Sequence, residues 1–406
     1  MIIREAPPSP SLDARFERLP TLDGLRAVSI MMVMLSHFVN ARLFPGGLGV
    51  LIFFVISGFL ITRLLLSEYK TTGSVNIRDF YLRRVIRLYP VVVAYAILAV
   101  LVFSLTGRSN QIELKPILSA LFYFANYYYS NLYVTHSYTA MPFSIAWSLS
   151  VEEHFYIVFP VLFAALVDLG GRLRIAVLIL CIIPLLARVI FVTMNPIDDP
   201  AYSFITYYQT QYRIDSIAFG VLLALLLEVS YWQNILRRLE HPLALSLGIV
   251  AILGSLLWRD PIFRETLRYT VQAVAVVVIL YNLLYSQSPL SRFIAFILNL
   301  PLVVFVGKLS YSLYFWHFFA GAFGPTSLPT SGLAVLNFVM SFAFATASYY
   351  WLETPFVALR ERFRTVKSCG RDEAADATSP NENANRSKPM DTAPALPLKY
   401  KPEDSR

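Results

Sequence analysis

Two ionisable residues lie eleven positions apart in an apolar stretch near the start of the chain, Arg26 and His37. On an α-helix their Cα atoms are about 16 Å apart along the axis. An ionisable side chain at membrane depth is costly unless it faces the protein interior or water. A cation near one surface and a base near the other therefore predict a reaction between reactants from opposite sides of a membrane.

His37 is the strongest candidate for a general base, because imidazole titrates near neutral pH. A carboxylate would fix its tautomer, as in catalytic triads. Glu152 and Glu153 are the candidates for this role. Neighbours on a helix point about 100° apart, so we expect one carboxylate at the interior and one at the rim. The alternatives are a structural histidine bonded to a backbone carbonyl and, for the glutamates, a salt bridge at the outer surface.

Further ionisable residues are predicted at the same outer depth as His37. Arg213 and Asp215 lie at the start of one apolar segment, His154 follows the two glutamates, and His317 lies toward the end of another segment. Lipid-facing charge is disfavoured, so most of these side chains should point inward. In the alternative, Arg213 pairs with Asp215 near the surface, and the two histidines are structural or interfacial. Three tryptophans are predicted to lie in the interfacial belt: Trp147, Trp316 and Trp351.

The second chemical feature is a basic segment that contains Arg83, Arg84 and Arg87. At spacings of three and four residues, these like charges adjoin on a helix, which favours an anionic partner. Guanidinium groups suit phosphate. The segment predicts a site for a phosphorylated donor that enters from the cytoplasm, with Arg26 facing it. The alternative is an ordinary positive-inside cluster against anionic lipid.

The composition is that of an integral membrane protein. The chain has 406 residues, of which 56% are hydrophobic and 15% charged, and its mean hydropathy is +0.57. Soluble domains carry about 25% charged residues. The apolar runs are long and do not alternate, so helices rather than barrel strands cross the bilayer. The net charge of +8 indicates positive-inside loops and contact with membrane lipids, not nucleic-acid binding.

The predicted fold is all-α, with about ten transmembrane helices and both termini cytoplasmic, in the cell (inner) membrane. The predicted spans are 22–42, 47–69, 86–106, 146–168, 173–194, 212–229, 243–258, 268–286, 301–324 and 333–355. With ten spans the arginine-rich loops are cytoplasmic, while the connections 194–211 and 325–332, which lack Lys and Arg, are outside. The short, aromatic and polar segment 116–131 is predicted to be interfacial or re-entrant, because counting it as a span would reverse this charge bias.

Three parts are expected along the chain. Residues 1–20 form a cytoplasmic segment without the apolar core of a cleavable signal peptide, and residues 21–358 form the transmembrane domain. Residues 359–406 are polar and poor in large apolar residues, which predicts a disordered cytoplasmic tail. Cys181 lies in an apolar run and Cys369 in this tail, so no disulfide is expected. No cluster of metal ligands is evident, and no metal site is predicted.

These residues, taken in order, resemble the acyltransferase-3 family of membrane-bound acyltransferases, which modify carbohydrates and other acceptors in bacteria. The matching motifs run from residue 21 to residue 355; each is weak alone, but the ordered set is specific. They are Leu22-Asp23-Gly24-Leu25-Arg26 with His37, Phe53-Phe54-Val55-Ile56-Ser57-Gly58-Phe59-Leu60-Ile61, Arg83-Arg84-Val85-Ile86-Arg87-Leu88-Tyr89-Pro90, Trp147-Ser148-Leu149-Ser150-Val151-Glu152-Glu153-His154-Phe155-Tyr156, Arg213-Ile214-Asp215 and Gly307-Lys308-Leu309-Ser310-Tyr311-Ser312-Leu313-Tyr314. The chain ends in a polar segment and so resembles the stand-alone type without an SGNH-type hydrolase domain.

The resemblance implies a ten-helix membrane fold that takes an acyl group, usually acetyl, from cytoplasmic acyl-CoA. The group passes to a hydroxyl of a glycan or lipid-linked glycan at the outer side. Acyl-CoA is then a co-substrate, and no bound cofactor is expected. By this likeness Arg26 and His37 are the central pair, while Arg84 and Arg87, beside Arg83, match the family's essential arginines and are expected to hold the CoA phosphates.

The resemblance also suggests roles on the acceptor side. Glu152 or Glu153 would orient His37 or bind sugar hydroxyls, and Arg213 or Ser150 would stabilise the oxyanion. Asp215 and His317 are further candidates beside the acceptor. Direct transfer and an acyl-His37 intermediate both stay open, as does a homo-oligomer.

Two other functions compete with this interpretation. One is a transporter of a lipid-linked glycan or anion, since intramembrane ionisable residues fit that class too. Transporters with internal repeats show matching charged positions in two halves, and Arg26 with His37 has no later counterpart. The other is acyl transfer to a non-carbohydrate acceptor. The aromatic-rich loop 107–145 and the loop 194–211 are expected to set acceptor choice.

Overall fold

The computed structural model describes residues 20–195, 200–323 and 330–358, and this part of the chain contains helices and no strand. Seventeen α-helices, joined by turns and short 3₁₀ segments, occupy these ranges. In chain order they are α1 (Pro20–Phe38), α2 (Gly46–Thr72), α3 (Ile77–Leu105), α4 (Leu114–Leu121), α5 (Ala125–Val134), α6 (Trp147–Leu166), α7 (Gly171–Met194), α8 (Pro200–Tyr208), α9 (Thr210–Leu226), α10 (Ser230–Leu236), α11 (Pro242–Leu257), α12 (Pro261–Glu265), α13 (Leu267–Tyr285), α14 (Pro289–Leu298), α15 (Pro301–Lys308), α16 (Ser310–Phe323) and α17 (Thr330–Ser348). The predictions for the N-terminal segment and the tail fall on residues outside this description.

Six helical segments are long and apolar enough to cross a bilayer by themselves. They are Gly46–Thr72, Ile77–Leu105, Ser144–Leu169, Gly171–Met194, Leu267–Tyr285 and Ser331–Ala358. Two bent pairs qualify if each is one span: Ala201–Leu226 with Ser230–Glu240, bent by 113°, and Pro289–Leu298 with Pro301–Lys308, bent by 63°. The described residues therefore form a helical, multi-pass arrangement with six to eight candidate spans.

Two of the ten predicted spans take a different form in the structure. The helix in the predicted span 22–42 ends at Phe38. The predicted span 301–324 is divided at Leu309 into α15 and α16. The predicted span 243–258 matches α11, an apolar helix of 16 residues that is shorter than the six long helices.

The ambiguous segment 116–131 contains two short helices, α4 with 8 residues and α5 with 10. At about 1.5 Å per residue, neither reaches across a hydrocarbon core of about 30 Å. The Tyr89 hydroxyl donates to the Leu121 carbonyl at 2.6 Å, and the Asn126 amide donates to Thr210 at 2.9 Å. These bonds hold the two helices against α3 and α9, so the segment is not one continuous span.

A tight turn between α2 and α3 sets the position of the basic segment. Gly73 ends α2 with a left-handed φ of +72°, which glycine adopts at little cost. Asn76 caps α3, since its side chain accepts from the Asp79 backbone N–H at 3.0 Å. α3 then runs antiparallel to α6, because the Tyr81 hydroxyl donates to the Ile157 carbonyl at 2.5 Å, while Arg84, farther along α3, bonds Glu153, which is earlier in α6.

Glycines allow the helices around the site to pack at close range. Gly58 of α2 and Gly220 of α9 face each other's helix, and a Cβ on either would collide with a main-chain carbonyl. Gly307 of α15 meets the Asp23 carbonyl of α1 in the same way. Small residues at such crossings let backbones approach closely in membrane proteins. α1, which carries Arg26 and His37, is thus fixed by its neighbours.

Candidate active site

His37 and His317 form an imidazole pair between α1 and α16. The His37 Nδ1 atom lies 2.8 Å from the His317 Nε2 atom, and the two rings are within 9° of coplanar. The His317 Nδ1 atom lies 2.9 Å from the Leu313 carbonyl oxygen. His317 is fully buried, whereas His37 is exposed and lines a cavity.

This hydrogen-bond chain assigns the tautomers of both rings. A carbonyl oxygen can only accept, so the proton on His317 is placed on Nδ1 and its Nε2 is an acceptor. His37 must then donate from Nδ1 to His317. In the neutral form of His37 the Nε2 atom then carries no proton, and its lone pair can act as a general base.

The partner that orients His37 is a histidine, which corrects the expectation of a carboxylate. Glu152 accepts a hydrogen bond from the Ser57 hydroxyl at 2.9 Å, and Glu153 accepts one from Arg84 at 2.8 Å. The charges of both glutamates interact with that of Arg84, and the charge of Glu152 also interacts with that of Arg26, which associates them with the other end of α1. His317, expected to be structural or beside the acceptor, bonds His37 instead.

The cavity beside His37 has a volume of about 110 Å³ and a largely aromatic wall. Its lining residues are Val33, Ser36, His37, Gly46, Gly47, Val50, Ser144, Ile145, Trp147, Tyr207, Tyr208, Tyr314 and Phe318. Ser144 and Ile145 come from the loop 107–145, and Tyr207 and Tyr208 come from the loop 194–211. Both loops that were expected to set acceptor choice therefore line the cavity.

Two of the three tryptophans are not on the lipid-facing surface. Trp147 is 4% exposed and packs against Tyr207, with ring centroids 4.8 Å apart, in the cavity wall. Trp316 is also 4% exposed and stacks on Phe344. Interfacial placement is therefore wrong for these two residues, while Trp351 is 77% exposed.

A second group of side chains, here called the charged cluster, lies around the other end of α1. Its members are Arg26, Arg84, Arg87, Glu152, Glu153 and Glu353. The Arg84 guanidinium bonds Glu153 at 2.8 Å and lies 3.2 Å from the centre of the Tyr156 ring. A guanidinium held by a carboxylate and an aromatic face is fixed in orientation.

Arg26 connects the rest of the charged cluster. Its charge interacts with those of Arg87, Glu152 and Glu353. Glu353 accepts a hydrogen bond from the Ser312 hydroxyl at 2.5 Å and also interacts with Arg87. Arg87 itself is exposed and forms no salt bridge with a residue that the structure describes. The charge of Asp23, in the first turn of α1, also interacts with Arg26 and Arg87. The arginines thus have several carboxylates near them, while the Arg87 guanidinium stays accessible.

Glu353 was missed by sequence reasoning, although a signal for it exists. It lies near the end of the last apolar segment, in a π-helical turn over Tyr349–Glu353, and is 7% exposed. The rule that singled out Glu152, an ionisable residue at membrane depth, also applies to Glu353. π-Helical turns are frequent at functional sites.

Arg83 does not join the charged cluster. Its guanidinium forms a salt bridge with Glu68 of α2 at 2.9 Å, across the turn between α2 and α3. The structure therefore separates Arg83 from the two arginines predicted to bind the donor with it.

Asp215 forms a buried ion pair with Arg188 and not with Arg213. The Arg188 guanidinium lies 2.7 Å from Asp215, both side chains are fully buried, and Arg188 also donates to the carbonyls of Tyr212 and Thr266. Sequence reasoning missed Arg188, a single charge within the apolar run 173–194. Ser150 donates to the Ala146 carbonyl at 3.0 Å, a bond within its own helix.

Arg213 is fully buried among aromatic rings behind the cavity wall. Its guanidinium carbon lies 4.0 Å from the Tyr269 ring centre and 5.2 Å from that of Tyr207. None of its three side-chain nitrogens has a hydrogen-bond partner among the described residues. Neither Arg213 nor Ser150 lines the cavity. Neither side chain is therefore placed to donate a hydrogen bond directly to an oxyanion in it, as had been expected.

Comparisons with known proteins show which family the chain resembles. The family model described as "Acyltransferase domain" matches residues 19–353. A "Putative O-acetyltransferase" of Staphylococcus aureus (strain COL) is 32% identical over 349 residues, which cover 83% of this chain and 57% of that protein. O-acetyltransferase OatA of Staphylococcus aureus (strain NCTC 8325 / PS 47) is 30% identical over 353 residues, with the same coverage of 83% and 57%. The chain thus spans little more than half the length of these relatives, and no solved structure matches it.

Proposed function

The chain belongs to the acyltransferase-3 family, and on this basis we propose that it moves an acyl group, in the first instance acetyl, from acyl-CoA to a hydroxyl of a carbohydrate or lipid-linked carbohydrate. The observation that carries the proposal is the hydrogen-bond chain from Leu313 through His317 to His37. It leaves one unprotonated imidazole nitrogen facing a cavity, which is what a general base for a hydroxyl group needs.

In this proposal the charged cluster receives the donor. Arg84 is held by Glu153, and the charge of Arg26 interacts with those of nearby carboxylates. Arg87 presents an exposed guanidinium that suits a phosphate of CoA. The pantetheine arm then brings the thioester toward His37, which takes the proton of the acceptor hydroxyl. The acceptor oxygen attacks the thioester carbonyl, and the CoA thiol leaves.

The acceptor is proposed to be a sugar because of the cavity wall. Trp147, Tyr207 and Phe318 offer aromatic faces, and Ser36 and Ser144 offer hydroxyl groups for hydrogen bonds. Ligand sites combine apolar walls with a few placed polar groups in this way. The relatives' names also specify transfer to oxygen.

We further propose that the protein lies in the inner (cell) membrane. In this proposal it has ten membrane spans, and both termini are in the cytoplasm. This arrangement adds α1, α9, α11 and the α15–α16 segment to the six helical segments that are long and apolar enough by themselves. This topology can be tested with a membrane-impermeant thiol reagent on intact cells. The reagent is applied to two variants, Ser137→Cys and Ser288→Cys, each made in a protein whose Cys181 and Cys369 have been replaced. Labelling of Ser137→Cys alone is expected, and labelling of Ser288→Cys would overturn the topology.

The first test of the function is release of CoA thiol from acetyl-CoA by purified protein in liposomes, with water as the slow acceptor. His37→Ala is expected to lower the rate about 10³-fold, a typical loss for a positioned base. His154→Ala is the control, because its ring bonds Thr210 and does not line the cavity. If the wild type neither binds nor cleaves acetyl-CoA, the donor assignment fails and the transporter interpretation gains.

A further inference from the structure

Three tyrosines line the cavity beside His37, and their hydroxyl groups differ in their partners. The Tyr314 hydroxyl shares a hydrogen bond of 2.6 Å with Ser148. Tyr208 is 8% exposed, and its hydroxyl interacts with that of Tyr133. The Tyr207 hydroxyl has no hydrogen-bond partner among the described residues and is free to bond a molecule in the cavity.

The Tyr207 hydroxyl points toward the wall of the cavity at which α2 begins. A Cβ built at Gly47 would lie 3.0 Å from this hydroxyl oxygen, so glycine leaves the space that the hydroxyl occupies. Gly47 and His37 line the same small cavity. A molecule bound beside His37 therefore shares this cavity with the Tyr207 hydroxyl.

Arg213 lies behind Tyr207, and its charge is not compensated by an ion pair. The carboxylate two positions away, Asp215, is taken by Arg188. A fully buried cation acts strongly on its neighbours because little water screens it. At 5.2 Å from the Tyr207 ring centre, it makes the hydroxyl of that ring a stronger hydrogen-bond donor.

We propose that Tyr207 is a further catalytic residue, which donates a hydrogen bond to the thioester carbonyl oxygen as that oxygen becomes negative. Arg213 is a positioning residue that acts through Tyr207. The inference rests on the proposed acyl transfer at His37. It also explains how Arg213 takes part in stabilising an oxyanion that its own nitrogens do not reach.

The step balances with the groups present. As the acceptor oxygen attacks, its proton passes to the His37 Nε2 atom and a carbon–oxygen bond forms. The carbonyl electron pair moves onto the carbonyl oxygen, where the Tyr207 hydroxyl bonds it without losing its own proton. On collapse the carbon–sulfur bond breaks, and the His37 proton passes to the departing CoA sulfur.

The test compares Tyr207→Phe with Tyr127→Phe in liposomes, using acetyl-CoA as donor and water as acceptor. Tyr207→Phe is expected to lower kcat about 10²-fold with KM for acetyl-CoA nearly unchanged, the usual loss of one oxyanion donor. Tyr127→Phe is the matched control and should keep kcat within about twofold of the wild type, because the Tyr127 hydroxyl donates to Gln211 and does not line the cavity. A Tyr207→Phe rate within about twofold of the wild type, in a preparation that His37→Ala inactivates, would overturn the proposal.

Arg213→Gln separates positioning from folding. It is expected to lower kcat in the wild-type background and to have no further effect in the Tyr207→Phe background, because its action requires the hydroxyl. Equal losses in both backgrounds would show that Arg213 does not act through Tyr207. If Arg213→Gln does not fold, Arg213→Lys replaces it in the test. Arg213→Lys keeps the positive charge and is therefore expected to lower kcat less than Arg213→Gln would. A wild type without turnover would instead contradict the proposed function itself.

Discussion

The imidazole pair and the charged cluster lie near the two ends of α1, about 16 Å apart along the helix, and they hold buried polar groups by different means. The imidazole pair contains no carboxylate; His37 bonds a second imidazole, which in turn bonds a backbone carbonyl. The charged cluster balances arginines against carboxylates. A base must stay unprotonated, and a carboxylate partner would favour the imidazolium. A phosphate site needs cations, and buried cations need compensation. In the proposed function this difference follows from what each region binds, which is the acceptor hydroxyl at the imidazole pair and a phosphate of the donor at the charged cluster.

The largest expected effect comes from changing the partner of the base. His317→Leu removes the acceptor for the His37 Nδ1 proton and is expected to lower acyl transfer about 10³-fold, because the productive tautomer is no longer fixed. His317→Gln offers an amide oxygen to His37 and an amide N–H to Leu313, and should retain activity to within about tenfold. Rates of CoA release measure both. Equal rates for the two variants would show that orientation of His37 does not depend on this bond.

A carboxylate at position 317 tests how the charge of the partner affects His37. His317→Glu would stabilise the His37 imidazolium, so the base becomes unprotonated only at higher pH. The acid limb of the pH–rate profile is therefore expected to move to higher pH than in the wild type or in His317→Gln. An unmoved limb would mean that His37 does not titrate in the rate-limiting step.

The second prediction concerns the stability of the charged cluster. Glu153→Leu leaves the Arg84 guanidinium without its carboxylate and is expected to lower the free energy of unfolding by about 2 kcal/mol, allowing for its partial exposure. The double variant Arg84→Met/Glu153→Leu removes both charges and should recover much of this loss. Thermal unfolding in detergent measures the stability of the wild type, of Glu153→Leu and of the double variant. Additive losses would show that the two side chains are not a compensated pair.

The third prediction tests Glu353 as a member of the charged cluster. Glu353→Gln keeps the hydrogen bond from Ser312 but removes the charge near Arg26 and Arg87, and is expected to raise KM for acetyl-CoA about tenfold. Glu240→Gln is the control, since Glu240 accepts a bond from Tyr281 away from both regions. A fall in kcat with unchanged KM would place Glu353 with the chemistry rather than with the donor.

What the sequence could predict differs between the two regions. The spacing of Arg26 and His37 fixed their separation on one helix, because local periodicity is enough for that. The partnership of His37 with His317 joins residues 280 positions apart, and the rotation of α16 that creates it is set by packing. The depth of Glu152 and Glu153 was predicted to equal that of His37, because both glutamates lie near the start of the predicted span 146–168. In the structure it is Trp147, at the start of α6, that lines the cavity beside His37.

The pairing of Asp215 shows a second limit. Two arginines, Arg188 and Arg213, were available to one carboxylate, and the nearer one in sequence suggested a local pair. Residues two apart on a helix do not face each other, so this pair was disfavoured on geometry alone. The packing of α7 against α9 decides for Arg188, and leaves Arg213 as the uncompensated charge behind Tyr207.

The smallest effect is expected within the basic segment, where Arg83 and Arg87 lie four positions apart on α3. Arg87 is exposed near the charged cluster, whereas Arg83 is paired with Glu68. Arg87→Gln is therefore expected to raise KM for acetyl-CoA about fivefold, with a weaker dependence on salt than in the wild type. Arg83→Gln should change KM by less than about twofold, since exposed pairs contribute little. Equal effects from both arginines would mean that the segment attracts the donor only through its general positive charge, and the contrast between a specific phosphate site and an ordinary cytoplasmic surface would disappear.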